Sequence, residues 1–320
     1  DVLGVRHITG DQVTSDLPQE AKDFLPELIV TSPGVRPEHE LLAWAKERNI
    51  PVWVDIELAW RVRDKTNKVA DWIAVTGTNG KTTTAWWLAH ALAQVKLQER
   101  SGCALVGTLG VGIPPALEST GMTTPDPVRL QRAFREYADA GLAACAIEAS
   151  SIGIVEGRLN GTRVKVAVFT NFTQDHLDFH GSMDAYWAAK AALFEWPGLA
   201  GTVVNIDDVR GVGLAASLAA RPGMQLWTVA VESDAGERPS RMAKARLFAQ
   251  GLTITPNGMA FEVGERNAQG QSVALHALSL PLVGQYNVSN LLCVLGSARA
   301  LGVPLADAVQ ACAALSPVPG

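Results

Sequence analysis

Cysteine is scarce in this 320-residue chain, and the little there is forms no pattern. Cys103, Cys145, Cys293 and Cys312 make no C-x-x-C pair and no metal-ligand spacing. That argues against a disulfide scaffold or a zinc site, and for buried small hydrophobes in a reducing compartment. Long apolar runs are missing as well: none approaches the ~18 residues of a membrane span, and no signal peptide opens the chain. A cytoplasmic protein without a membrane span is expected. Nor is there a basic block. The net charge of −5 comes from 27 basic and 32 acidic residues mixed along the sequence, which argues against nucleic acid as a partner. Internal repeats and low-complexity segments are absent. What is present in quantity is apolar: 48% of residues, enough for a sizeable core. The length suggests two or three domains of ~100–200 residues each.

The most informative stretch is Val75-Thr76-Gly77-Thr78-Asn79-Gly80-Lys81-Thr82-Thr83-Thr84. Apolar Trp72 to Val75 before it has strand length, and the Ala/Leu-rich run Ala85 to Leu92 after it has helical character. Strand, glycine turn and helix are the layout of a phosphate-binding loop, in which backbone N–H groups close around phosphate oxygens. Lys81 would reach the outer phosphates and the Thr82 hydroxyl would ligate Mg²⁺. The standard spacing is not met, because its first glycine would fall on Val75.

Upstream, Leu28 to Val30 and Pro51 to Val54 read as strands around an amphipathic helix at Glu40 to Lys46, and Glu57 to Arg61 begins another helix. This is a small α/β unit. Ser32-Pro33-Gly34 stands at a strand's carboxyl end, where such sheets bind ligands, although an ordinary turn has the same sequence. Polar Asp64 to Lys68 reads as a linker.

Downstream, Cys103 to Thr108 reads as a strand, and Gly121-Met122-Thr123-Thr124-Pro125-Asp126-Pro127 as a loop before a helix from Val128 to Ala140. Thr124 or Asp126 is a substrate group or simply the helix N-cap. Strand Ala143 to Ile147 ends at Glu148-Ala149-Ser150-Ser151. A carboxylate there suits a Mg²⁺ ligand. Strand Val164 to Phe169 runs into Asn171 to Gly181, which holds Asp175, His176, Asp178 and His180, two of the chain's six histidines. The segment reads as metal or phosphate chemistry, or as a polar capping turn. Ser182 caps a helix through Phe194 that carries Lys190, on local pattern a snorkelling lysine. Gly201 to Asp208 is a strand and turn. Residues 224–282 have β-type alternation with turns at Pro256-Asn257-Gly258 and Asn267 to Gly270. Gly284 to Asn290 leads into a helix from Leu291 to Ala300, and a last helix spans Leu305 to Leu315.

Taken together, Thr76 to Thr83, Glu148 to Ser151, Asn171 to Gly181, Lys190 and Gly284 to Asn290 resemble the Mur ligases, ATP-dependent amide-forming enzymes of peptidoglycan precursor synthesis. Thr123-Thr124-Pro125, Ser150-Ser151 and Gly157-Arg158-Leu159 are most similar to the branch that adds diaminopimelate or lysine to UDP-N-acetylmuramoyl-L-alanyl-D-glutamate. Ser32-Pro33-Gly34-Val35, Ile50-Pro51-Val52 and Glu57 to Arg61 are instead similar to the branch that adds D-glutamate, which leaves a D-glutamate ligase as the alternative. The resemblance implies an α/β fold: a small N-terminal UDP-sugar-binding domain over 1–68, and a central P-loop ATPase domain over 69–320 with a mostly parallel sheet and a β-rich subregion.

Catalysis falls by resemblance to Lys81, Glu148, His176 and Lys190. ATP falls to Thr78, Asn79, Gly80, Lys81, Thr82, Thr83, Asn287 and Asn290. Two Mg²⁺ fall to Thr82, Glu148, His176 and Lys190, the last expected as a carbamylated lysine. The peptidyl substrate falls to Ser32, Thr123, Thr124, Ser150 and Arg158, with Glu156 a departure that puts a negative charge beside an anionic substrate. The partners implied are a UDP-N-acetylmuramoyl-peptide and an amino acid acceptor. The chain opens on Asp1 and closes on the linker-like Pro317-Val318-Pro319-Gly320. The family's C-terminal Rossmann-like domain is therefore expected to be absent, and the chain to bind ATP while ligating poorly.

Overall fold

The computed structural model describes residues 26–31, 39–54, 70–233, 238–267 and 269–319. The chain divides into two compact units, 1–65 and 66–320. In the first, β1 (Ile29–Thr31) and β2 (Val52–Val54) pair in parallel, with α1 (Glu40–Glu47) between them in sequence. Buried Ile29, Ala45 and Ile50 hold this unit together with Leu41, Trp44 and Val52. His39 caps α1, its Nδ1 accepting from the Leu41 N–H at 3.1 Å. Ser32, the proposed turn around it and the helix expected from Glu57 lie outside the described residues.

The second unit is built on one sheet. Its elements are β3 (Asp71–Thr76), α2 (Lys81–Ala93), β4 (Cys103–Gly107), β5 (Gly110–Ile113), β6 (Ala116–Glu118), α3 (Pro127–Asp139), β7 (Ala144–Glu148), α4 (Ser151–Val155), β8 (Val164–Phe169), α5 (Leu177–His180) and α6 (Met183–Ala191). After a short 3₁₀ turn come β9 (Gly201–Asn205), α7 (Val209–Ala219), β10 (Gln225–Val231), α8 (Arg238–Lys244), β11 (Leu247–Thr255), β12 (Gly258–Arg266), β13 (Ser272–Leu280), α9 (Gln285–Ala300) and α10 (Leu305–Cys312). The eleven strands run β13-β12-β11-β10-β9-β8-β3-β7-β4-β5-β6. The stretch from β11 through β4 is parallel, and antiparallel strands finish both edges.

The apolar runs read from the sequence are the central strands, buried on both faces as a parallel sheet between helices requires. Their side chains alternate between two cores. Ile73 and Val75 join α2, α9 and α10 on one face, and Ala74 joins α3 and α7 on the other. The chain leaves β3 for β4, returns to β7 beside β3, then crosses to β8 on β3's other flank. Where the order reverses, the loops at the strands' carboxyl ends part and leave a crevice.

Several elements differ from the sequence reading. The β-type region from 224 contains α8, and α7 and the β5–β6 ribbon went unread. The long helix begins at Gln285 rather than Leu291, because the polar residues of its first turns look like loop until their neighbours are known. Among the described residues, no helix is long and apolar enough to cross a membrane.

Candidate active site

At the crevice, β3 ends on Thr76 and the chain turns through Gly77 to Gly80 into α2. Gly80 is the N-cap of α2 with φ +79°, a left-handed conformation natural to glycine. A methyl group added there would fall 2.2 Å from Asn290 Oδ1. Glycine thus lets α9 close under the loop, and buried Asn290 stands one helical turn from Asn287, its Nδ2 3.5 Å from Asn287 Oδ1. The loop is braced from the far side by the segment after β8. Asn171 O accepts from the Thr78 N–H at 2.9 Å, Asn171 Oδ1 from the Asn79 N–H at 2.9 Å, and the Thr170 hydroxyl donates to Asn79 O at 2.6 Å. The Thr78 hydroxyl meets Thr173 O at 3.0 Å and the Tyr186 hydroxyl at 3.2 Å. What remains is a rigid rim at a helix N-terminus, where first-turn N–H groups have no intrahelical acceptor. Lys81, Thr82 and Thr83 form that first turn.

Two lysines meet on this loop. Lys81 Nζ donates to Gly77 O and Thr78 O, both at 3.0 Å. Lys190 Nζ donates to the same Gly77 O at 2.7 Å and lies 4.5 Å from the Tyr186 ring centre. Lys190 is 1% exposed, which overturns the snorkelling reading: α6 turns it inward, under the loop. Burial pushes its ammonium down to about 7, with the charge of Lys81 adding to the effect. Burial also lowers Lys81, against the opposing pull of Glu148 and Asp175.

Glu148 ends β7 and is 1% exposed. Its Oε1 accepts from the Thr108 N–H at 2.8 Å, and its Oε2 from the hydroxyls of Thr82 (2.9 Å) and Thr108 (3.3 Å). Burial raises its carboxyl, while those three donors and Lys81 pull the other way. Gly107 makes room, since a methyl there would fall 2.2 Å from Glu148 Oε1. Thr108, which in sequence reads only as a strand end, also reaches Thr123 Oγ1 at 3.1 Å.

The other end of Glu148 faces elsewhere. Its carbonyl oxygen accepts from the buried Thr124 hydroxyl at 2.7 Å, and Thr124 Oγ1 accepts from the Ser150 N–H at 3.0 Å. Arg158 Nη1 donates to Thr124 O at 2.7 Å. Thr123, Thr124, Ser150 and Arg158 therefore share one wall. The helix-cap reading settles on Asp126, which accepts from the Arg129 N–H at 3.0 Å. Ser150 caps α4 by accepting from the Gly153 N–H.

His176 adopts φ +50° at the start of α5, with Nε2 3.5 Å from Asp175 Oδ2 and its ring 5.9 Å from that of Tyr186. Tyr186 is thus the common neighbour of His176 and Lys190. His180, read with His176 in the same polar segment but assigned no role, sets Nε2 2.9 Å from Ser151 Oγ. Among the described residues, no three His, Cys, Asp or Glu side chains converge as a metal cage. A hard cation here would draw on Thr82 and Glu148 and on oxygens brought by its ligands, the usual arrangement for Mg²⁺ with phosphates.

A glycine cradle at a helix N-terminus, a lysine curled over it and a hydroxyl–carboxylate pair beside it define a P-loop-type α/β domain. The Mur ligase middle domain matches residues 75–298, so the chain belongs to the Mur ligase family. It is 56% identical over 251 residues to a UDP-N-acetylmuramoyl-L-alanyl-D-glutamate–2,6-diaminopimelate ligase of Acidovorax sp. strain JS42, covering 78% of this chain and 47% of that protein. It is 39% identical over 317 residues to a Nitrosomonas europaea protein of the same name, covering 94% and 57%. A solved structure titled as such a ligase superposes with a TM-score of 0.72 at 29% identity, over 92% of this chain and 61% of that one. MurF from Acinetobacter baumannii shares the fold, with a TM-score of 0.56 at 21% identity over 78% and 46%. The chain spans about half the length of the curated relatives it matches.

Proposed function

We propose that this chain carries the carboxylate-activating centre of a cytoplasmic, ATP-dependent ligase that adds diaminopimelate to UDP-N-acetylmuramoyl-L-alanyl-D-glutamate. The observation that supports it best is the double use of Glu148. Its carboxylate joins Thr82 beside the phosphate loop, and its carbonyl joins Thr124 on the wall with Ser150 and Arg158. A group acting on both a phosphate and a carboxylate needs the two held at such a junction. The names borne by the relatives supply the substrate, and residues 1–68 would serve its UDP end while 69–320 serve ATP.

The chemistry is the meeting of two anions, and positive charge must stand between them. The loop N–H groups and Lys81 would hold the β- and γ-phosphates, with Thr78, Asn79, Gly80 and Thr83 shaping the cradle and Asn287 and Asn290 facing the nucleoside. Thr123, Thr124, Ser150 and Arg158 would present the terminal carboxylate in line with the γ-phosphate. The carboxylate displaces ADP to give an acyl phosphate, and the incoming amine then displaces phosphate. Thr82 and Glu148 would hold one Mg²⁺, His176 and Lys190 a second. When bound, the metal neutralises phosphate charge.

Lys190 suits that role only as an anion. Burial favours its neutral amine, whose lone pair adds to the carbon of CO₂ with release of one proton, giving a carbamate. Carbon-13 bicarbonate is expected to produce a carbamate resonance in this chain that disappears in Lys190→Met. A spectrum without that resonance would remove Lys190 from the metal set.

The proposed function is tested by thermal unfolding and phosphate release. With ATP and Mg²⁺ present, the L-alanyl-D-glutamyl substrate should raise the melting temperature and the L-alanyl form should not. Protection by the L-alanyl form alone would assign the site to D-glutamate addition instead. Phosphate release that depends on both dipeptide substrate and diaminopimelate would complete the case.

A further inference from the structure

Arg158 does not wait with a free guanidinium. Its Nη1 is committed to Thr124 O, and the edge formed by Nε and Nη2 is closed by Glu156, whose Oε2 lies 2.7 Å from Nε and 2.5 Å from Nη2. That edge is the planar fork that recognises carboxylates in pairs of parallel hydrogen bonds. Both partners keep contact with water, their side chains being 20% and 43% exposed. The ion pair therefore sits at the mouth of the wall rather than in the core. A pair this exposed holds geometry more than it adds stability, and an incoming anion can displace it.

We propose that Glu156 is a built-in counter-anion. Its carboxylate occupies the recognition edge of Arg158 until an acidic peptidyl substrate displaces it, and its charge thereby sets the substrate affinity of the site. The inference rests on the proposed function for the identity of that substrate. While the site is empty, Glu156 keeps Arg158 extended along the Thr124 wall and withholds it from stray anions. Once substrate arrives, the displaced carboxylate remains close by as a like charge. Affinity is held below what Arg158 alone would give, and product, which carries the same anionic groups, leaves more readily.

The test is Glu156→Gln, which keeps size and an oxygen acceptor for Arg158 but removes the charge. KM for the UDP-muramoyl dipeptide is expected to fall about three- to tenfold, the effect of one partly screened like charge removed. kcat should move less than twofold and KM for ATP not at all. In an Arg158→Lys background the same change should have little effect, because no fork remains to be contested. A purely structural role would instead raise KM in Glu156→Gln, and that result, or an unchanged KM, overturns the proposal.

A second measurement does not depend on the substrate. Glutarate titrated against the Arg158 Nε–H resonance should bind the Gln variant more tightly than the parent chain. Equal glutarate affinity refutes the role of Glu156. If glutarate distinguishes the two proteins while the muramoyl dipeptide binds neither, the proposed function fails and the counter-anion stands.

Discussion

Lys81→Met is expected to weaken ATP binding to this chain by roughly 10²–10³-fold, the scale set by losing one charged donor from a preorganised oxyanion site. Titration calorimetry in the presence of Mg²⁺ measures it. The ammonium donates to Gly77 O and Thr78 O. Burial opposes its charge there, while Glu148 and Asp175 favour it. Methionine fills similar space without that penalty, and Gly77 O keeps Lys190 as a donor. The melting temperature of the ligand-free variant should therefore not fall. Lost binding with an undiminished melting temperature identifies a side chain kept for its ligand. Lost binding together with a collapsed melting temperature would mean that Lys81 holds the loop together.

Glu148→Gln separates the same two possibilities at the other pole of the site. Mg²⁺-dependent phosphate release is expected to fall roughly 10²–10³-fold, since an amide cannot replace a charged ligand of a hard cation. Packing should survive. The amide oxygen can accept from the Thr108 N–H, and the Thr82 and Thr108 hydroxyls can turn from donors into acceptors. Burial raises the Glu148 carboxyl, so its ionised form costs the ligand-free protein stability. In the window above the usual carboxylate range, the folded state holds this proton more tightly than the unfolded state, and stability falls as pH rises through it. The Gln variant should accordingly melt higher than the parent at neutral pH, and the gap should close as acidification protonates Glu148. Saturating Mg²⁺ with ATP should reverse the order, because only the parent gains the metal. A Gln variant that melts lower at neutral pH without ligand would show that the carboxylate's three donors outweigh its burial.

Much of this site was readable before the fold was known, for identifiable reasons. The β3–loop–α2 unit is local: an apolar run, glycines and an Ala/Leu stretch adjoin within about twenty residues, so the pattern needs no tertiary information. Glu148 stood out because a carboxylate directly follows a fully apolar strand. Thr108 did not, since a threonine closing a strand looks like any β-branched residue, and only the neighbouring strand reveals that its N–H and hydroxyl both face Glu148. Lys190 was misread on local pattern for the same reason. Small residues around a lysine suggest a stem along a surface, and nothing in α6 itself says that the loop of β3 lies overhead. The start of α9 was hidden because Gln285, Tyr286 and Asn287 are exposed or half-buried and read as loop, while only Val288 and Asn290 of the first turns are buried. Arg158 was legible as a group for an anion, but its engagement by Glu156, two residues away, depends on the turn that brings both to one side.

The contact of Gly80 with Asn290 has a consequence for synthesis. The cradle is encoded near residue 80 and its floor near residue 290, with most of the sheet between them in sequence. A chain emerging from the ribosome can form β3 and α2 early, yet the floor of the loop is laid only after β10 to β13 have been made. Such long-range closure is slow to reach. The growing polypeptide therefore has no finished pocket in which to sequester nucleotide until almost all of this domain has been translated, and competence arrives in a single late step.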